Sequence, residues 1–330
     1  MKIFYKHFSL SYFKPLQSRI PASAVSLVLL CCGVILNTSS VVASETFLAQ
    51  DDTAKQENYV PAGYSLVWSD EFDNDKITDK WWYETGDHGW GNKELQNYVA
   101  GRSGLDTCAE VSSGILKISA KKKDNQVISI RMNSRQSWIY GYFESRMKLP
   151  SGKGTWPAFW MLPQNIKDWP DDGEIDIMEE VGYNPNYVSS SIHCKAYNHV
   201  AGTQKTSEKF VPSAQSEFHI YAVEWTENYI YAYIDGKRYF TFVNDKQGDK
   251  NTWPFNVPFY LKLNLAWGGN WGGAKGVDEN VLPAVYEIDY VRVYQDGAKS
   301  QDSKNQDGTK SQDYRNQDGT KNQDYRNQDF

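Results

Sequence analysis

The sequence has 330 residues and a formal net charge of -6, which is long enough for one large domain with extensions. The charge argues against nucleic acid as a partner, because no excess of Lys and Arg is present to neutralise phosphates. Aromatic residues reach 15%, with 12 Trp and 22 Tyr, which is high for an ordinary globular chain. This excess predicts either a large aromatic core or a surface on which planar rings bind a ligand.

The first 44 residues have the features of an export signal. Basic residues precede a short apolar run from Ala22 to Leu36, and small residues at Ala43 and Ser44 suit cleavage. A membrane anchor is the alternative, but a spanning helix needs about 20 apolar residues and this run is shorter. We therefore expect residues 1–44 to be a signal peptide, and the mature chain to be secreted (extracellular or periplasmic) without a membrane span.

Composition divides the rest of the chain into three parts. Residues 45–60 are polar and predict a linker, and residues 61–296 have the even, strand-like composition of one domain. Residues 297–330 predict a disordered tail, because a short polar repeat has no apolar face to bury. The eleven-residue units of this repeat are Tyr294–Lys304, Asn305–Arg315 and Asn316–Arg326, followed by a remnant from Asn327.

Apolar and aromatic residues in the domain alternate with period two, which is typical of β-strands. Asp235-Gly236 lies between two such segments and predicts a two-residue hairpin turn. We find no long amphipathic pattern that would indicate a helix. Many strands in one large domain predict an all-β sandwich of two antiparallel sheets. The predicted strands include Ile115–Ala120, Trp138–Met147, Ile220–Trp225, Tyr229–Ile234, Phe259–Ala266 and Val285–Tyr294.

Two cysteines remain once the signal is removed, Cys108 and Cys194. An oxidising compartment allows a disulfide between them. The sequence is equally compatible with two buried thiols, so both arrangements stay open.

Three acids occur within the segment Gly173–Glu179, which reads Gly-Glu-Ile-Asp-Ile-Met-Glu. On a strand Glu174 and Asp176 share one face, because side chains alternate. Glu179 joins that face only if a β-bulge accommodates one extra residue, which points to Met178. The pattern therefore predicts a bulged strand with three carboxylates on one face.

Carboxylates this close raise one another's pKa, so such a cluster indicates a cation site or acid–base chemistry. Retaining glycoside hydrolysis needs two carboxyls about 5–5.5 Å apart, one as nucleophile and one as acid/base. Two glutamates on one strand can meet that requirement. A solvated acidic edge or an oxygen-ligand metal site is the alternative that spacing alone leaves open.

Several segments of the domain resemble glycoside hydrolase family 16, over roughly residues 64–295. Glu174–Glu179 is similar to the bulged form of the family's E-x-D-x-x-E motif. Met178, the extra residue, favours the laminarinase-like branch over the specialised mixed-linkage lichenases. The other matching segments are Trp68–Phe72, Gly89–Gln96, Gly154–Leu162, Asn264–Gly273 and Ile288–Tyr294.

The resemblance implies a jelly-roll sandwich with a concave cleft that binds a glycan. It implies that Glu174 is the nucleophile, that Glu179 is the acid/base, and that Asp176 assists the nucleophile. No cofactor is then required for catalysis.

The same resemblance, together with the affinity of sugar faces for indole rings, predicts substrate contacts around the carboxylates. Core packing is the alternative for Trp156 and Trp160, whereas Trp267 and Trp271 are expected to form another wall of the cleft. Arg131 or Arg135 would hydrogen-bond a sugar hydroxyl or a catalytic carboxylate, and Arg135 is taken as the candidate. The predicted substrate-binding residues are Asn92, Glu94, Arg135, Trp156, Trp160, His193, Trp267 and Trp271.

Two metal sites were considered. His193, His199 and Cys194 are close in sequence, but a zinc site usually has four ligands, so His193 is assigned to the cleft instead. The resemblance also implies a structural calcium, held by Asp289 and by carbonyl groups at positions that match Glu71 and Gly114. Calcium prefers oxygen ligands, so this assignment is chemically reasonable.

Together these observations predict a monomeric secreted enzyme that cuts β-1,3-glucan internally with retention, and mixed β-1,3/1,4-glucan as a further substrate. The alternatives are another family 16 hydrolase (lichenase, agarase or carrageenase), a transglycosylase, and a non-catalytic β-glucan-binding protein. The sequence has no obvious basic cluster for the sulfate groups of carrageenan. It retains both glutamates, which argues against the binding protein.

Overall fold

The structure is a computed structural model that describes residues 58–74, 76–101 and 107–297. The predicted signal peptide, most of the predicted linker and all of the predicted tail except Gly297 lie outside these residues and stay predictions. Within the described part, regular structure is almost entirely β-strand, with one 3-10 turn at Glu279–Val281. No helix in this part is long and apolar enough to cross a bilayer.

Seventeen strands account for the fold of the described residues. In chain order they are β1 Tyr64–Asp70, β2 Trp81–Glu84, β3 Asn97–Tyr98, β4 Ala109–Ser112, β5 Ile115–Lys123, β6 Gln126–Ser129, β7 Arg131–Trp138, β8 Gly141–Lys148, β9 Thr155–Pro163, β10 Glu174–Glu180, β11 Tyr187–His193, β12 Lys205–Phe210, β13 His219–Trp225, β14 Tyr229–Ile234, β15 Lys237–Val243, β16 Phe259–Trp267 and β17 Ala284–Asp296.

The strands form two sheets. The ten-stranded sheet has the order β15-β14-β13-β8-β17-β5-β6-β3, with β1 also paired to β17 and β4 to β5. The seven-stranded sheet has the order β12-β11-β10-β9-β16-β7-β2. All pairs are antiparallel except β3 with β6. The predicted antiparallel sandwich is therefore confirmed.

The core lies between the two sheets and is rich in aromatic residues. Phe143 and Trp225 of the ten-stranded sheet and Phe159 and Phe259 of the seven-stranded sheet are buried in one apolar cluster. Alternation along each strand places one set of side chains in this core and the other set outside. We call the side of the seven-stranded sheet that points away from the core the open face.

The hairpin predicted at Asp235-Gly236 is confirmed. These two residues join β14 to β15 and have φ values of 47° and 69°, as a two-residue turn with both central residues left-handed requires. The single strand predicted over Trp138–Met147 is wrong. Trp138 ends β7 and Gly141 begins β8, and Gly141 has φ 148°.

Candidate active site

Strand β10 lies in the middle of the seven-stranded sheet and contains the predicted bulge. Asp176 pairs with Ser191 of β11, but the next open-face residue, Glu179, pairs with Ser189, so three steps on β10 match two on β11. Ile177 and Met178 are both fully buried in the core. The extra core residue returns Glu179 to the open face, which Glu174 and Asp176 share.

The side chain of Glu174 has a neighbour that the sequence did not indicate. Trp169, in the loop before β10, donates its indole N–H to Glu174 Oε2 at 3.0 Å. The Trp169 ring also packs against the rings of His193 and His199, with centroid distances of 5.9 and 5.0 Å. Trp169 is 37% exposed, so it lies at the entrance to the site and contacts the predicted nucleophile directly.

Asp176 is 2% exposed and lies between the two glutamates on the strand. His193 of β11 places its Nε2 3.2 Å from Asp176 Oδ2 and 3.8 Å from Glu174 Oε1. His193 is 6% exposed. The structure therefore brings the predicted cleft histidine against two of the three acids.

Glu179 is bound from the other side. Trp156 of β9 donates its indole N–H to Glu179 Oε1 at 2.9 Å. The Trp156 ring packs edge-on against Trp271, with centroids 5.4 Å apart. Both tryptophans are half-buried, and the structure brings them together beside Glu179; their contact with substrate stays a prediction.

Burial is the main electrostatic effect at the three carboxyls. It raises the pKa of Glu174 to about 8, with a further rise from Asp176, while His193, the Trp169 N–H and Arg131 oppose it. Burial raises the pKa of Asp176 to about 8 against a hydrogen bond with Glu174. Burial, Asp176 and Glu174 together raise the pKa of Glu179 well above its usual value. The cluster therefore holds protons at neutral pH.

Burial raises the pKa of both glutamates, but the neighbours that act beside burial differ. At Glu174 one acid, Asp176, adds to the rise, and His193, the Trp169 N–H and Arg131 oppose it. At Glu179 two acids, Asp176 and Glu174, add to the rise, and the Trp156 N–H and His193 oppose it. The carboxyl with two acidic neighbours is the better suited to give a proton, and the other to ionise and attack carbon.

The predicted segment around Asn92 and Glu94 reaches the sheet at the edge of the open face. Asn92 accepts the backbone N–H of Asn270 through its carbonyl at 2.6 Å, and Glu94 forms a bridge with Gly268. Glu94 Oε2 accepts hydrogen bonds from Gln96 and from Tyr98, and burial raises its pKa. This segment is therefore tied to the loop that carries Trp271.

Trp160 occupies the open face, opposite Asp176 on the neighbouring strand. Its indole N–H donates to Asn264 Oδ1 at 2.6 Å. The guanidinium of Arg131 lies 4.8 Å from the Trp160 ring and 4.7 Å from the Trp90 ring. These residues form a rigid stack of rings and cation beside the carboxylates.

Arg131, and not Arg135, is the arginine near the site. Arg135 is exposed and donates its Nε to the carbonyl of Asp79 at 2.9 Å. The register of β7 against β16 is irregular between Tyr260 and Lys262, so Arg135 does not repeat the orientation of Arg131 four residues earlier. The assignment of Arg135 to the substrate site is therefore wrong.

Trp267 is also misplaced by the sequence analysis. It is 1% exposed and belongs to the core cluster. On β16 the residues Asn264 and Ala266 alternate with it, and Asn264 reaches the open face. Trp267 therefore points between the sheets and cannot form a wall of the cleft.

A buried lysine completes the open face and was missed. Lys262 is fully buried and donates to Glu84 Oε2 at 2.7 Å and to Asn133 Oδ1 at 2.5 Å. Burial and the charge of Arg131 lower the pKa of Lys262 to about 7, against the raising effect of Glu84. Burial alone would raise the pKa of Glu84, but Arg131 and Lys262 lower it to about 2. Only the tertiary structure brings these residues together.

The predicted calcium ligands combine one side chain, that of Asp289, with main-chain carbonyls at Glu71 and Gly114. The Asp289 carboxylate forms an ion pair with Arg146 at 2.7 Å. The Glu71 side chain, which is not a predicted ligand, accepts hydrogen bonds from Arg292, the shortest at 2.7 Å. Gly114 lies in the turn between β4 and β5, with φ 74°. Arg146 already neutralises the one predicted side-chain ligand, and the calcium site stays a prediction.

The zinc alternative fails for a geometric reason. His193 faces the open side of β11, whereas the next residue, Cys194, is buried in the core and its thiol contacts the carbonyl of Thr252. In the described part of the chain, one group of three potential ligands lies close enough for a metal, Glu174, Asp176 and His193, and it coincides with the carboxylate cluster. Cys108 and Cys194 are both buried and no disulfide joins them, so of the two arrangements the structure has the buried thiols.

Cleaving an acetal needs one group that gives a proton and one that attacks carbon, and a surface that holds the sugars in place. Strand β10 carries two carboxyls of the kind required, and the indoles of Trp156 and Trp160 lie beside them. The fold and the site are thus those of a glycoside hydrolase.

Comparisons with known proteins agree. The model of the family "Glycosyl hydrolases family 16" matches residues 100–292. The chain is 45% identical over 271 residues to the beta-glucanase of Rhodothermus marinus, covering 78% of this chain and 92% of the relative. The chain therefore belongs to glycosyl hydrolase family 16.

Solved structures of the family share the fold. The laminarinase from Rhodothermus marinus has a TM-score of 0.67 at 47% identity, covering 70% of this chain and 97% of that one. SCLam, a non-specific endo-beta-1,3(4)-glucanase, has a TM-score of 0.68 at 42% identity, covering 72% of this chain and 93% of that one. The predicted jelly-roll sandwich is thereby confirmed.

Proposed function

We propose that this protein hydrolyses β-1,3-glucan internally with retention of anomeric configuration, and that it also accepts mixed β-1,3/1,4-glucan. The observation that carries the proposal is the pair Glu174 and Glu179 on one face of a bulged strand, each with a pKa raised by burial and each bonded to an indole N–H. The named activities of the similar proteins, a laminarinase and an endo-beta-1,3(4)-glucanase, support the choice of substrate.

The reaction proceeds in two steps. Glu174, ionised, attacks the anomeric carbon while Glu179 gives its proton to the departing glycosidic oxygen. A glycosyl ester on Glu174 results. Glu179, now ionised, removes a proton from water, and the water oxygen attacks the anomeric carbon and releases Glu174.

Asp176 and Trp169 position the nucleophile. Trp169 donates to Glu174 Oε2, which stabilises the ionised carboxylate before attack. The hydrogen bond between Asp176 and Glu174 allows a proton to be shared within the pair as the charge on Glu174 is lost and regained. His193 lies against both acids and compensates part of their charge.

Substrate choice is tested with a panel of laminarin, lichenan, agarose and carrageenan, measuring released reducing sugar and product sizes. We expect rapid internal cleavage of laminarin, slower cleavage of lichenan, and the β-anomer as the first product by NMR. Release from agarose or carrageenan alone would assign another activity of the family. An α-anomer would exclude retention, and binding of laminarin without release would indicate a glucan-binding protein.

The catalytic roles are tested with Glu174→Gln and Glu179→Gln. Each variant keeps the shape of the side chain but loses its acid–base and nucleophilic capacity, so hydrolysis should fall by about 10²–10⁴-fold. Oligosaccharide binding should persist in both, measured by calorimetry. Wild-type activity in either variant would contradict the assignment.

We further propose that the protein is exported through residues 1–44 and acts as a monomer. The basic and apolar pattern of that segment supports export. N-terminal sequencing of protein from the culture medium, with size-exclusion chromatography, tests both statements. Cell-associated protein with an intact Met1, or a dimer, would contradict them.

A further inference from the structure

A pair of exposed aromatic residues lies on the open face, outside the site described above. Tyr187 at the start of β11 is 40% exposed, and Phe210 at the end of β12 is 50% exposed. The two residues are direct partners across the strands, and their ring centroids are 5.0 Å apart with an interplanar angle of 43°. Large rings left this open to water on an edge strand are uncommon and indicate a binding surface.

Strand register places the pair on the face that carries the catalytic acids. Along β11 the residues Ser189, Ser191 and His193 lie opposite Glu179, Asp176 and Glu174. Tyr187 is the next residue of the same parity, and Val188 beside it is fully buried in the core. The Tyr187 side chain therefore continues the open face beyond Glu179.

The same register aligns the pair with the tryptophans of the other flank. Ala158 of β9 and Ser189 of β11 both pair with Glu179. Trp156 and Tyr187 each precede these partners by two residues on strands that run in the same direction, so they lie in one row across the sheet. Adjacent strands are about 4.8 Å apart, so Tyr187 is about 10 Å from Trp156 and Phe210 about 14 Å. The row crosses the sheet perpendicular to the strands on both sides of β10.

Polar groups beside the pair suit sugar hydroxyls. Glu208 of β12 is exposed and pairs with Ser189, which in turn pairs with Glu179. Glu208 therefore lies in the row of Glu179, two residues along the strand from the aromatic pair. Its Oε1 accepts a hydrogen bond from Asn184 at 3.2 Å, which fixes its position. Rings with a few oriented polar groups are the usual composition of a carbohydrate or small-ligand surface.

We propose that Tyr187 and Phe210 form an outer subsite for the β-glucan chain on the leaving-group side of the cleavage point. The inference rests on the proposed function, because internal cleavage requires the chain to extend past the acid/base in both directions. Trp156, Trp160 and Trp271 serve one flank of β10, and the aromatic pair serves the flank of β11 and β12. The tryptophans occupy the flank of β9, where Trp156 bonds to Glu179, so the opposite flank with the aromatic pair is assigned to the departing part of the chain.

The proposal predicts that the contribution of the pair depends on substrate length. We expect the double variant Tyr187→Ala/Phe210→Ala to lower kcat/KM for laminarihexaose and laminarin by about three- to tenfold, mainly through KM. Laminaritriose fills few subsites and has fewer units to place beyond the cleavage point, so its loss should stay below twofold.

Two controls distinguish stacking from damage to the fold. The variant Tyr187→Phe/Phe210→Tyr keeps both rings and should restore the preference for long substrates. Val243→Ala removes another apolar side chain, which is 55% exposed on β15 of the ten-stranded sheet. It should leave kcat/KM unchanged for both laminarihexaose and laminaritriose. The melting temperatures of all variants are measured alongside.

An equal loss on laminaritriose and laminarihexaose, or no loss on either, would overturn the subsite while leaving the hydrolase intact. If the wild-type protein releases no sugar from laminarin, the proposed function fails instead. In that case laminarin binding by affinity electrophoresis decides the subsite: weaker retardation of the double alanine variant supports it, and equal retardation overturns it.

Discussion

Two tryptophans donate their indole N–H groups to the two glutamates proposed as nucleophile and acid/base, one each. Trp169 donates to Glu174 and Trp156 to Glu179, at 3.0 and 2.9 Å. Each bond stabilises the ionised form of its glutamate and so lowers its pKa. The indoles therefore act on opposite halves of the acid–base pair, in addition to any contact with sugar.

Replacing each tryptophan with Phe should move a different limb of the pH profile of kcat/KM. Trp169→Phe removes a donor from the nucleophile, so the pKa of Glu174 rises and the acidic limb should move up by about one pH unit. Trp156→Phe raises the pKa of Glu179 and should move the alkaline limb up by a similar amount. The measurement is laminarin hydrolysis across the pH range. If the wild type and both variants have the same acidic and alkaline limbs, the two indole hydrogen bonds do not affect the pKa values of Glu174 and Glu179.

Arg131 and Arg135 offer a matched comparison, because they are four residues apart on one strand. Arg131 lies between the rings of Trp90 and Trp160, whereas Arg135 bonds to one carbonyl at the surface. Arg131→Lys should raise KM for laminarin about five- to tenfold, since an ammonium cannot stack as a planar guanidinium does. Arg135→Lys serves as the control, with unchanged KM. A larger effect at Arg135 would restore the assignment made from the sequence.

At the scale of the strand, the bulge in β10 sets the spacing of the acids. Ile177 and Met178 enter the core in succession, so the strand loses one alternation and Glu179 returns to the open face. The buried Met178 side chain holds this irregularity in place. Packing energy in the core is thus connected to the geometry of the acids outside it.

Met178→Ala should lower the free energy of unfolding by about 2–4 kcal/mol, because it removes a fully buried side chain from the bulge. Met178→Leu conserves volume and should cost less than about 1.5 kcal/mol. Urea unfolding followed by tryptophan fluorescence measures both. Equal stability of the alanine variant and the wild type would mean that the bulge does not depend on this residue.

The sequence predicts the sandwich, the β14–β15 hairpin and the bulge, because all three depend on alternation within a short segment. It fails where long-range pairing decides the result. Trp267 follows a strand that the sequence predicts, and the glycines after it suggest a loop in the cleft. Only the register of β16 places the Trp267 side chain in the core. Arg135 fails because the irregularity of β7 against β16 is invisible without the partner strand.

Loops and ion pairs are the other sources of error. Trp169 is outside any predicted strand, so its bond to Glu174 could not be read from periodicity. Asp289 is the predicted side-chain ligand of calcium, but Arg146, which neutralises it, is on another strand. The choice of partner for a carboxylate depends on the whole fold.

For the whole molecule, buried carboxyls make stability depend on pH. Glu180 follows Glu179 on β10, is 1% exposed, and accepts hydrogen bonds from the backbone of Asn186 and from Gln215. Burial raises the pKa of Glu180 from 4.5 to about 7. The folded state therefore binds more protons than the unfolded state between these values, and stability falls as pH rises through that window.

Glu180→Gln should remove this part of the pH dependence, since the amide stays neutral and retains an acceptor for Asn186. We expect the variant to be more stable than the wild type by about 1–3 kcal/mol at pH 8 and equally stable near pH 4. Urea unfolding at both pH values measures the difference, with Glu217→Gln as an exposed control. A wild type that is more stable than the variant at pH 8 would contradict the prediction.

The three catalytic acids come from one strand whose neighbours on both sides are paired along its length. In an enzyme that assembles its catalytic groups from separate lobes, slight loosening between the lobes can abolish turnover while most of the fold persists. Here the distance between nucleophile and acid is fixed by a few consecutive peptide units, which change only when the middle of the seven-stranded sheet separates. Heat inactivation should therefore coincide with the loss of β-structure, and fraying at the edges of the sandwich should leave the chemical step unimpaired.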